Sequence, residues 1–117
     1  MTDMITLPGA CELVGKGVYR GLPNDIPQPV RDRNAVVVGE AVECATAARQ
    51  LGKAGWSVTV VTRERCGCGV GRKCRHRVGT EVVCATGGEY LEAVVLRRID
   101  TGRIDACNAS ALFILSL

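Results

Sequence analysis

The sequence predicts an α/β fold: a βαβ unit followed by a β-meander and a closing parallel strand. Three observations predict it. Ala35-Val-Val-Val38 is a short β-branched run followed at once by Gly39. The stretch after it carries Val42, Ala45, Ala48 and Leu51 at a spacing of three, one face of a helix. A second β-branched run, Val58 to Val61, then begins just after Gly55 and Trp56. Runs apolar on both faces are what parallel strands covered on two sides require. Two such strands joined by one helix form a βαβ unit whose crossover hand is nearly fixed.

The numbers bound the rest. A chain of 117 residues allows one domain and one core. With 47% hydrophobic and 23% charged residues, it reads as a soluble globular chain rather than a disordered one. The net charge of +3 is mild, and only 3% of residues are aromatic, so base stacking has little to work with and no nucleic-acid partner is expected. No apolar run approaches a membrane span, so no membrane role is expected. The first residues lack a charged-then-apolar leader pattern. The seven cysteines are therefore read as mostly reduced thiols and the location as cytoplasmic.

Residues 1–34 read as an irregular leading segment. Leu7-Pro8-Gly9 is a turn signal, and Gly15 to Arg20 is a loop with a short extended piece. Pro23, Pro27 and Pro29 rule out a helix from Gly21 to Val30. Residues 35–117 form the predicted Rossmann-like nucleotide-binding domain. Its first turn is compared with G-x-G-x-x-G/A, in which glycines make the turn and admit the pyrophosphate, and a small residue lets helix and strand pack. Gly39-Glu40-Ala41-Val42-Glu43-Cys44 keeps the first glycine, has Ala41 at the second and puts Cys44 at the third small position. The helix start offers backbone N–H groups and a positive dipole end to a phosphate. Ala41 adds a methyl group there, and Glu40 and Glu43 add negative charge. Two readings stand: a dinucleotide site, and a structural α/β unit only.

Thr62, Arg63, Glu64 and Arg65 close the second strand, where this architecture meets the adenosine ribose. Arg63 and Arg65 favour a 2′-phosphate and hence NADP; Glu64 favours NAD; a solvated charged turn is the plain alternative. Residues 66–79 read as a Cys/Gly/basic loop. Cys66, Cys68, Cys74 and His76 form a candidate zinc set. The single residue between Cys66 and Cys68 and the lack of a second knuckle favour an oxidisable thiol loop instead. Thr80 to Ala85, Tyr90 to Arg98 and Arg103 to Cys107 are three predicted meander strands, separated by Gly87-Gly88 and Asp100-Thr101-Gly102 turns. Ala111 to Leu117 is the predicted closing strand, and the chain reads as cut at its end. Cys11, Cys44, Cys84 and Cys107 are read as packed or incidental thiols, and no acid–base pair or nucleophile triad is visible.

The order of elements resembles the pyridine-nucleotide-binding domain of thioredoxin reductase-like flavoproteins. Leu7 to Tyr19 is similar to that family's "PG…E…GRGV-Y" segment, Val36 to Arg63 to its "VVGGGNSAVEAA…V-L-HRR" unit, and Glu81 to Ile114 to its "TEV…GV-L-D-TGE…LF-FIG" meander and last strand. The resemblance implies an NAD(P)H-dependent flavoprotein oxidoreductase that passes hydride from NADPH to FAD. It implies that Gly39, Ala41 and Cys44 form the dinucleotide turn. Thr62, Arg63 and Glu64 stand where the family has the His-Arg-Arg grip on the 2′-phosphate, with only the first Arg retained. Departures are equally specific. Arg20-Gly21-Leu22-Pro23 replaces the C-x-x-C dithiol. The FAD-binding halves are not in this sequence, and the segment between Arg63 and Thr80 is shorter than the family's helix-bearing one. The expected function is thus the hydride-donor side of such an enzyme, truncated and incomplete on its own, with FAD supplied by a missing or separate domain. Alternatives are a degenerate α/β domain that binds a partner (a separate flavin domain or a second copy) and a metal- or redox-sensing module.

Overall fold

A computed structural model describes residues 9, 11–28, 32–63 and 74–116. Among the described residues eight strands and one α-helix form three layers. A parallel sheet lies between the helix and an antiparallel three-stranded sheet. The strands are β1 (Val18–Arg20), β2 (Asn34–Val38), β3 (Ser57–Thr62), β4 (Cys74–Val78), β5 (Thr80–Gly87), β6 (Leu91–Arg98), β7 (Ile104–Asn108) and β8 (Ala111–Ile114); helix α1 is Ala41–Lys53. The parallel sheet has the order β1-β8-β2-β3-β4, and the meander has the order β5-β6-β7.

The βαβ unit is β2-α1-β3, with Val37 opposite Val60. Strand alternation divides its apolar residues between two cores. Val36, Val38 and Val61 face the meander and pack with Leu91, Val94 and Leu96. Ala35, Val37, Val58 and Val60 face α1. The helix ends where Gly55 turns at φ +99°, and the Trp56 N–H donates to the Leu51 carbonyl at 3.0 Å. Lys53 in the last turn complements the dipole.

The helix face differs from expectation. Cys44, Ala47, Ala48 and Leu51 are its buried stripe, joined by Ala45, and Val42 is 67% exposed. Val42 precedes Cys44 by two residues, about 200° around the helix at 3.6 residues per turn, so it faces away from the sheet. The expected 66–79 loop is also corrected, because its end, Cys74–Val78, is a strand paired in parallel with β3. β4 lies at the edge of the parallel sheet, where charged side chains are tolerated. Arg77 points to the meander side and meets Asp105 at 2.9 Å.

The extended piece of the leading segment is β1, a true member of the parallel sheet beside β8. A short 3-10 turn, Cys11–Leu13, precedes it. Gly17 lies at φ +119°, and a Cβ there would stand 2.7 Å from the Leu91 Cβ, so glycine lets this segment lie against β6. The meander and closing strand form as expected, with ends shifted by one to three residues. No described helix is long and apolar enough to cross a membrane.

Candidate functional site

The chain leaves β2 for β3 on one side, while β8 enters on the other. The carboxyl ends of β2 and β8 therefore flank a topological switch point, the place where open α/β sheets bind ligands. Gly39 stands at that point. Its N–H donates to the Val61 carbonyl at 3.4 Å, and Glu40 follows as the cap of α1 in extended backbone, with its carbonyl accepting the Cys44 N–H at 2.9 Å. The chain beyond β8 passes directly beside the glycine. A Cβ at Gly39 would come within 3.0 Å of the Leu115 Cβ and 3.2 Å of the Ser116 Oγ. The N–H groups of Leu115 and Ser116 both reach the Val38 carbonyl, at 2.9 and 3.4 Å. Glycine thus suits the close crossing of the chain itself, where a side chain would press on Leu115 and Ser116.

The sequence-predicted residues fall at several places in the fold. Gly39, Glu40, Ala41 and Val42 gather at the open start of α1, half-buried or exposed. The N–H groups of the first turn have no acceptor within the helix, and the Glu40 side chain does not cap them. A pyrophosphate fits such a start, since Val42 and Glu40 leave it accessible; Glu43, also exposed in that turn, opposes it electrostatically. Cys44 is fully buried among the sheet-facing helix residues, where it packs between helix and sheet.

Thr62 and Arg63 lie at the end of β3. Thr62 is buried and Arg63 exposed. Glu64 and Arg65 lie outside the described residues, as do Cys66 and Cys68. Cys74 and His76 are on β4, not in a loop. His76 pairs in register with Val60 and shares its α1-facing side, which brings its Nε2 to 2.8 Å from the Thr62 hydroxyl. Among the described residues no group of three potential ligands comes together to hold a metal.

Sequence reasoning missed two features here. The Thr62–His76 pair joins residues of adjacent parallel strands and follows from the β3–β4 register, which no local pattern reveals. Ser116 reaches the glycine turn because β8 inserts beside β2. On the opposite side of the sheet, burial pushes the Cys107 thiol above its ordinary value, outweighing a Thr59 hydrogen bond and the pull of Arg77. That thiol is a packed group, as expected from the sequence.

No protein-family model matches the sequence, and comparison with curated proteins gives no match. Comparison with solved structures does. Thioredoxin reductase from Streptococcus pyogenes superposes over 100% of this chain with a TM-score of 0.78 at 17% identity. The fold is that of thioredoxin reductases. The Lactococcus lactis thioredoxin reductase gives a TM-score of 0.77 at 18% identity over 100% of the chain, and that of Gloeobacter violaceus 0.75 at 21% over 97%. This chain covers 41%, 42% and 37% of those three thioredoxin reductases, about two fifths of their length.

Proposed function

We propose that this chain binds a nicotinamide dinucleotide, NADP in preference to NAD, as the hydride-donor side of a thioredoxin reductase-like flavoprotein. The observation that carries the reading is the Gly39 turn into the open start of α1 at the β2/β8 switch point. Ala41 and Val42 offer backbone N–H groups to the pyrophosphate, Cys44 lets α1 lie close to the sheet, and the end of β3 with Arg63 meets the adenosine ribose. When bound, the dinucleotide supplies hydride chemistry. The chain's own part is to hold and orient it. FAD belongs to a separate flavin-binding part, so the chain alone completes no hydride relay, and a flavin spectrum from the purified protein would contradict this. A reducing, cytoplasmic setting suits the unbridged thiols of Cys84 and Cys107.

The test is a titration of the purified protein with NADPH and with NADH, read by thermal shift and ligand fluorescence. Binding stabilises by about 2.7 kcal/mol at a hundredfold excess over Kd, and so raises Tm. The expected result is saturable binding, tighter for NADPH, with Arg63→Ala weakening NADPH about tenfold through loss of a charge-assisted contact. A second reading is favoured by the exposed carboxylates of Glu40 and Glu43 beside the phosphate position: a degenerate domain that docks on a partner such as a flavin domain. No binding of either cofactor at millimolar concentration would put that reading first.

A further inference from the structure

The Thr62–His76 pair is used by nothing described so far. Thr62 ends β3 and is 2% exposed, while half-buried His76 reaches it from the neighbouring strand. Exposed Arg63 follows Thr62 directly. We propose that His76 is a specificity-determining residue for the phosphorylated dinucleotide, pairing with Arg63 to recognise the 2′-phosphate of the adenosine ribose. This rests on the dinucleotide reading given above.

The chemistry follows from the ring. Its Nε2 is engaged by Thr62, and among the described residues Nδ1 has no hydrogen-bond partner. A phosphate dianion accepts hydrogen bonds and donates none. It therefore selects a ring with Nδ1 protonated, which the neutral imidazole supplies when the Thr62 hydroxyl donates to Nε2. Thr62 thus acts as a positioning residue that fixes ring orientation and tautomer, in the way a group on one ring nitrogen sets the state of the other. The end of the second strand of a βαβ unit is where the ribose substituent is read. There the chain has Thr62 itself, with a small side chain too short to grip a phosphate, and the adjacent strand brings a longer donor to it. NADH lacks the 2′-phosphate, so its affinity does not depend on this contact.

The experiment compares Kd for NADPH, NADH and 2′,5′-ADP in the wild-type chain, His76→Ala, His76→Gln and Thr62→Val, with Tm of each ligand-free protein as a check on folding. The expected result is a loss of about tenfold for NADPH and 2′,5′-ADP in His76→Ala, with NADH unchanged. His76→Gln, which keeps a donor, should recover part of the loss, and Thr62→Val should fall between them. Equal losses for NADPH and NADH, or no loss for either, would overturn the role of His76 while leaving the dinucleotide reading intact. Failure of the wild-type chain to bind all three ligands would overturn both. If His76→Ala does not fold, His76→Gln and Thr62→Val decide the question by the same NADPH-to-NADH ratio.

Discussion

The two faces of the parallel sheet are covered in different ways. On one face three strands spread a broad aliphatic layer, with Leu91, Val94 and Leu96 fully or almost fully buried against Val18, Val36 and Leu112. On the other face the only helix among the described residues is α1, and it covers β2 and β3. It lies close because its stripe is alanine and cysteine apart from Leu51. Beyond its reach large rings supply the bulk. Phe113 stacks on Tyr19 with ring centroids 5.0 Å apart and meets Trp56 edge-on at 6.4 Å. The Trp56 indole N–H donates to the Pro27 carbonyl at 2.8 Å, which ties the proline-rich leading segment over the same rings. Where regular structure is sparse, a few aromatic side chains and an irregular strap complete the layer.

Substitutions on the two faces probe this difference. Phe113→Ala should have the largest effect, a loss of about 3–5 kcal/mol, since the ring anchors the whole helix-side aromatic group. Leu91→Ala on the meander side should cost less, about 2–3 kcal/mol, because neighbouring aliphatic chains can partly close the gap. Urea unfolding of both variants compares them, and equal losses would break the contrast. Ala47→Leu should come next, at about 1–3 kcal/mol, by forcing α1 off the sheet. The same change at exposed Thr46 should stay within about 0.5 kcal/mol. If Ala47→Leu were tolerated as well as Thr46→Leu, close approach of α1 would not be what closes that face. Smallest of all is Arg77→Ala. Its ion pair with Asp105 joins β4 to β7, yet both side chains are substantially exposed at 34% and 49%. A loss of about 0.5 kcal/mol that fades at high salt is expected, and a salt-independent loss above 1 kcal/mol would show that the pair holds the layers together.

The βαβ unit was legible because its strands are buried on both faces and therefore uniformly apolar, and because Gly39 marks the turn. The meander was legible through its glycine and Asp-Thr-Gly turns. β4 was hidden for the opposite reason. It lies at an edge, and Arg75 and Arg77 on its meander side erase the apolar signal, so Cys-Arg-His-Arg reads as loop. Val42 was misplaced because a spacing of three fits two neighbouring helix faces, and only the contact with the sheet chooses between them. At the candidate site the runs Gly39 to Val42 and Thr62 to Arg63 could be singled out because each is local in sequence. The Thr62–His76 pairing and the approach of Ser116 to Gly39 join distant strands, so no local pattern shows them.

The placement of β8 also governs the order in which the molecule can assemble. Its Leu112 pairs with Val18 on one flank and Val36 on the other, so β1 has no neighbour in the sheet until residues 111–114 have been made. Contacts of such long sequence separation form late, because the intervening loop must close first. The β2-α1-β3 unit, whose contacts are local, can form early during synthesis. The switch point can take shape only when β8 slots between β1 and β2, so a ligand site there depends on contacts between residues far apart in sequence.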